Sequence, residues 1–171
     1  VFARTRRRLA ALVAGSFVFV FCGCGYTLGA GSGLSTLHND RPVEVGRVEN
    51  ASFEPDAGPL VVRALSRALP SRVGRTSAET ALVVDGTVES VRTLPVGFVG
   101  PQNVQLWRVE VRLQLRLVDR PAATLTAKSS VTEAEEYRAA ADLEATEVSR
   151  RLALERAATR AAENGLDRLA K

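Results

Sequence analysis

Between residues 108 and 117 apolar and polar side chains alternate almost without a break. Val109, Val111, Leu113, Leu115 and Leu117 fall on one side, Arg108, Glu110, Arg112, Gln114 and Arg116 on the other. A period of two is the pattern of a strand with one face buried. Shorter runs repeat it. Val43 and Val45 alternate with Glu44 and Gly46 within residues 42–48; Leu82, Val84, Gly86 and Val88 alternate with Asp85, Thr87 and Glu89 within residues 80–91. A turn at Asp119-Arg120-Pro121 leads to a fourth strand over residues 124–134, followed by an acidic stretch and Tyr137. Two segments change to the helical period. In residues 58–72, Val61, Ala64, Leu65, Ala68 and Leu69 make one stripe, with Arg63, Ser66 and Arg67 opposite and Pro59 in the first turn. In residues 143–169 the stripe is Leu154, Ala157, Ala158, Ala161, Gly165 and Leu169, with Glu155, Arg156, Arg160 and Glu163 outward; the first two turns fit that stripe poorly.

The order β-α-β-β-β-α, with one apolar face per strand, predicts an α+β two-layer sandwich: two helices on one face of a four-stranded mixed sheet. A right-handed crossover through the first helix makes strands one and two parallel, and strands two to four form an antiparallel meander. The second face of such a sheet stays wet.

The amino-terminal residues follow a different rule. Arg4, Arg6, Arg7 and Arg8 precede an apolar run from Leu9 to Phe21 broken by Ser16, and small residues follow it. Those are the parts of a secretory signal. A helix of that run is about 20 Å long, short of a hydrocarbon core of about 30 Å. The exit reads Phe21-Cys22-Gly23-Cys24 and resembles the lipobox of bacterial lipoproteins, which makes Cys24 the expected lipidation site and Cys22 the alternative. Residues 1–23 are then the signal peptide. Residues 24–41, with Gly29-Ala30-Gly31-Ser32-Gly33, are a flexible tether spanning about 20–25 Å on average, and residues 42–171 are a single domain. That domain has no cysteine for a disulfide.

Charge changes its meaning once the leader is set aside. Of 23 basic and 19 acidic side chains, four arginines and no acids lie before Cys24, so the remainder balances at 19 of each. The basic character belongs to the leader, and a nucleic-acid footprint is not supported. No Ser/His/Asp set, metal-ligand cluster or phosphate-cradling glycine loop is present, so the expectation is a protein that is not an enzyme and needs no cofactor. The one histidine, His38, lies in the tether. Glu133, Glu135 and Glu136 read as a solvated strand end rather than as paired catalytic acids.

Several segments together resemble one family. Cys24-Gly25-Tyr26 after the leader is similar to the start of the LptE family of lipopolysaccharide-assembly lipoproteins. So are the strand from Val45 running into Asn50-Ala51-Ser52-Phe53-Glu54-Pro55 and then a helix, Ala81-Leu82-Val83-Val84-Asp85-Gly86-Thr87-Val88, the alternating strand from Trp107 to Asp119, and Glu136-Tyr137 before the last helix. The resemblance implies a lipoprotein held at the outer membrane by its lipid, on the periplasmic side. It would plug the β-barrel protein LptD and help deliver lipopolysaccharide. A barrel lumen is polar, and a plug of mixed charge and no net charge suits it. The alternative is another outer-membrane lipoprotein, an accessory of a lipid transporter or an activator of a cell-wall enzyme.

Two groups of residues stand out as contacts for lipopolysaccharide or partner. Arg108, Arg112 and Arg116 line the polar side of the third strand at steps of about 7 Å, and a guanidinium donates two parallel hydrogen bonds to a phosphate. Phe98 and Val99 lie in Pro95-Val96-Gly97-Phe98-Val99-Gly100-Pro101, read as a loop whose apolar side chains meet an acyl chain or a partner's wall.

Overall fold

The structure, a computed structural model, describes residues 43–69, 82–98 and 104–171. Its elements run β1 (Val43–Asn50), α1 (Ala57–Ala68), β2 (Leu82–Phe98), β3 (Val104–Asp119), β4 (Thr124–Arg138) and α2 (Leu143–Leu169). The strands form one sheet in the order β1-β2-β3-β4, with β1 parallel to β2 and the other two seams antiparallel. This is the α+β arrangement that the periodicity predicts.

The inward rows explain the layers. Leu82, Val84 and Val88 of β2, Val109, Val111, Leu113, Leu115 and Leu117 of β3, and Val131 of β4 are buried. Against them pack Ala57, Val61, Ala64 and Leu65 of α1 and Ala153, Leu154, Ala157, Ala158, Ala161, Ala162, Leu166 and Leu169 of α2. The α2 stripe is mostly alanine, so the helix backbone rides close to the sheet. At Gly165 even a methyl group would stand 2.7 Å from Leu115 Cδ1. There the buried Ser129 hydroxyl donates to the Gly165 carbonyl (2.9 Å), which satisfies a polar side chain enclosed in this core.

The helix ends follow local chemistry. Asp142 caps α2, its carboxylate accepting from the Ala145 N–H at 2.7 Å. Pro59 sits in the first turn of α1, where an N–H has no intrahelical acceptor. β1 carries a bulge at Gly46 and Arg47, between the Val45↔Val84 and Val48↔Gly86 pairs. The Arg47 N–H is accepted by Asp85 Oδ1 (2.9 Å), and a side chain at Gly46 would run into Val83 and Asp85.

Three expectations need correcting. The first helix begins at Ala57 and closes at Leu69, not at residue 72. β2 does not end at residue 91. A bulge at Glu89 lets it continue, paired with β3, so Pro95 to Phe98 are strand and not loop. β4 likewise runs through the acidic stretch to Arg138, because its partner β3 begins at Val104 and gives it backbone to pair with. The meander therefore extends well past the end of β1, and the first turns of α2 lie beyond α1. That is why Leu143, Val148 and Leu152 stay exposed and spoil the helical stripe.

Candidate functional site

The face of the sheet turned away from the helices is covered by nothing among the described residues. Pairing arranges its side chains in cross-strand rows: Asp85-Arg116-Lys128, Thr87-Gln114-Ser130, Ser90-Arg112-Thr132, Arg92-Glu110-Ala134 and Leu94-Arg108-Glu136. Neighbours in a row stand about 5 Å apart, close enough for long side chains to interact.

The arginines singled out from the alternation all lie here, but in different states. Arg108 donates to Glu136 Oε1 at 2.7 Å, and that hydrogen bond raises its pKa above the usual guanidinium value. Arg112 pairs through Nε with Glu89 Oε2 at 2.7 Å, while Gln114 donates to the other oxygen of Glu89 at 3.0 Å. Glu89 reaches that position because it is the extra residue of the β2 bulge. Arg116 is exposed and makes no ion pair or side-chain hydrogen bond among the described residues; Asp85, its cross-strand neighbour, is engaged by the β1 backbone.

Arg92 is the functional candidate that alternation missed. It is exposed, without a partner among the described residues, and it lines a shallow depression of about 120 Å³ with Ser90, Glu110, Arg112 and Thr132. Small side chains in the Ser90-Arg112-Thr132 row leave the hollow, and Arg112 leans out of it toward Glu89. The signal was present in the sequence: once β2 is carried past its bulge, Arg92 falls in the polar row.

Phe98 closes the far end of β2 and is 60% exposed, with Leu94 also exposed on the same strand. Val99, Cys24, Cys22 and His38 lie outside the described residues. Glu133 and Glu135 are not a solvated strand end. They point to the helix side, where Asn164 donates to Glu133 (2.7 Å) and Arg160 donates to Glu135 (2.6 Å), with Arg156 3.5 Å from Glu135. Only Glu136 of the trio faces out.

At the corner where β1 gives way to α1, Asn50, Ser52 and Glu54 knit the turn. Asn50 Oδ1 accepts from the Ser52 N–H and hydroxyl (3.1 and 2.7 Å), and Asn50 Nδ2 donates to the Glu54 carbonyl (2.8 Å). Glu54 and Glu147 then share Arg150 of α2, each at 2.7 Å, and the pairing raises the Arg150 pKa. Among the described residues no helix is long and apolar enough to cross a membrane, and no group of three His, Cys, Asp or Glu could hold a metal ion.

Such a face is suited to binding polar and charged groups: it offers paired and unpaired guanidiniums, hydroxyls and carboxylates side by side on the sheet. Comparison with known proteins agrees on the fold and supplies the family. A candidate lipoprotein from Caulobacter crescentus CB15 superposes with a TM-score of 0.55 at 22% identity, over 83% of this chain and 93% of that one. The rare lipoprotein B from Shewanella oneidensis does so with 0.50 at 13% identity, over 71% of this chain and 91% of that one. At these identities the likeness is one of fold. No curated protein matches the chain in sequence. The LptE family model, described as lipopolysaccharide-assembly, matches residues 41–169, well over half of the chain, and the chain belongs to the LptE family.

Proposed function

We propose that this protein is a lipoprotein of the outer membrane, anchored through Cys24 and facing the periplasm, that plugs an LptD-like β-barrel and assists the passage of lipopolysaccharide. The observation that carries the proposal is the open sheet face. It is polar, rich in both signs of charge, and partly neutralised in its own plane by Arg108–Glu136 and Arg112–Glu89. A surface of that kind loses little on entering a polar lumen, because four of its charges arrive already paired. Arg116 and Arg92, unpaired among the described residues, are left for phosphate or for carboxylates of the wall. Phe98 and Val99 supply the apolar contact, to an acyl chain or to the partner.

The test is a pull-down from solubilised outer membranes with mass measurement of the mature amino terminus. Recovery of a large β-barrel with a chain beginning at an acylated Cys24 is the expected result. Arg112→Glu with Arg116→Glu should reduce binding of purified lipopolysaccharide at least tenfold while leaving the thermal transition in place. Recovery of a soluble partner in place of a barrel would discard the plug.

A further inference from the structure

β1 ends opposite Val88, and the last hydrogen bond across that seam runs from the Ala51 N–H to the Val88 carbonyl (2.9 Å). β2 goes on to Phe98. From Ser90 onward it therefore has β3 on one side and, among the described residues, no strand on the other. Such an edge presents N–H and C=O groups to any extended chain that comes alongside. Pro95 fits this placement, since a strand tolerates the missing N–H at an edge. It also bounds the usable stretch, leaving residues 90–94.

Two exposed side chains lie near the start of that stretch, Arg92 on β2 and Phe53 on the turn that leaves β1 beside Val88. On the open side stands Arg92, exposed and without an ion-pair partner among the described residues although Glu110 is its cross-strand neighbour. Phe53 stands where β1 leaves the sheet. It is wholly exposed (106%), yet it is carried on the hydrogen-bonded turn of Asn50, Ser52 and Glu54. The turn leads to the covered side, where Glu54 meets Arg150. An aromatic ring held out on a fixed backbone gives up little freedom when a partner buries it, which is the character of an interface anchor.

We propose that residues 90–94 are a docking edge for an extended segment of a second protein, which adds beside β2 as a fifth strand. Strand alternation sets its chemistry: acidic side chains on the open side toward Arg92, and apolar ones on the opposite side, to which the turn carrying Phe53 leads. A lipid surface is a poorer occupant, because Glu54, Asp56 and Glu147 offset Arg150 and Arg151 around the turn and leave no basic excess to attract it. The wall of a closed barrel has no free strand to offer. The docked segment is therefore a different occupant from the barrel wall, although both readings draw on Arg92.

The test uses the full chain in detergent with two short capped synthetic peptides, one alternating Val with Glu and the other Val with Lys. The Val/Glu peptide should bind at least tenfold more tightly and slow hydrogen exchange of amides within residues 90–94. Arg92→Glu should reverse the preference between the peptides, and Phe53→Ala should weaken both. Both side chains are exposed, so an unchanged thermal transition verifies that each variant is folded. Equal binding of the two peptides, protection appearing elsewhere, or a preference that survives Arg92→Glu would overturn the proposal.

Discussion

Glu135 and Glu136, neighbours on β4, make the same bond to the same kind of partner on opposite faces of the sheet. Glu135 accepts from Arg160 at 2.6 Å and Glu136 from Arg108 at 2.7 Å. The distances match, but the consequences do not. Glu135, 20% exposed, ties α2 to β4, elements that share no backbone hydrogen bonds, and Glu133 and Asn164 repeat the tie one row along. Glu136, 44% exposed, links two strands that the ladder already joins. The first pair holds layers together. The second mainly sets how charged the open face is when a partner meets it. An ion pair's contribution depends on what else connects its two ends.

Three experiments sharpen that comparison. The largest effect is expected where the helix layer meets β3. Leu115→Ala should cost about 2–5 kcal/mol in urea unfolding, because Leu115 is fully buried under Gly165. Arg116→Ala, one residue on but facing out, should stay within about 0.5 kcal/mol. Next come the two glutamates. Glu135→Ala should cost about 1 kcal/mol, discounted because Arg160 is more than half exposed, and Glu136→Ala less than about 0.5 kcal/mol. Double-mutant cycles with Arg160 and Arg108 isolate each pair. Equal coupling energies would erase the distinction between the faces.

The smallest effect is in pH dependence. Burial raises the Tyr137 pKa above its ordinary value near 10. Its stabilising contribution is thus fully present below that value and fades as pH climbs through the folded-state pKa. Glu147 behaves oppositely. The hydrogen bond from Arg150 lowers its pKa, so its contribution is present above the ordinary carboxylate range and fades as pH falls through the depressed value. Unfolding midpoints followed from neutral pH in each direction should show both shoulders. A Tyr137→Phe variant that keeps the alkaline shoulder would assign it elsewhere.

Much of the layer architecture was legible because β1, β2 and β3 each have one apolar face, and the alternation of β3 alone assigns ten side chains to the correct sides. Other features depend on partners distant in sequence. Pro95 and Gly97 look like loop residues until β3 is seen to continue alongside them. Glu133 and Glu135 look solvated until Arg156, Arg160 and Asn164, 21 to 31 residues later, come to lie over them. The bulge at Glu89 is silent in any periodic reading, since it shifts the phase of β2 by one residue and so hid Arg92. Alternation places Arg108, Arg112 and Arg116 outward, whereas the pairing states of Arg108 and Arg112 require the register.

The notch at Gly46 has a consequence for how the first strand finds its place. Of the side chains along β1, none but a hydrogen fits over Val83 and Asp85, and the Asp85 carboxylate waits there for one particular amide. Sliding β1 along its neighbour by a single step would drive a larger group into that gap and strand the carboxylate. The parallel seam is thus keyed like a lock with one cut, and only one alignment lets the crossover close.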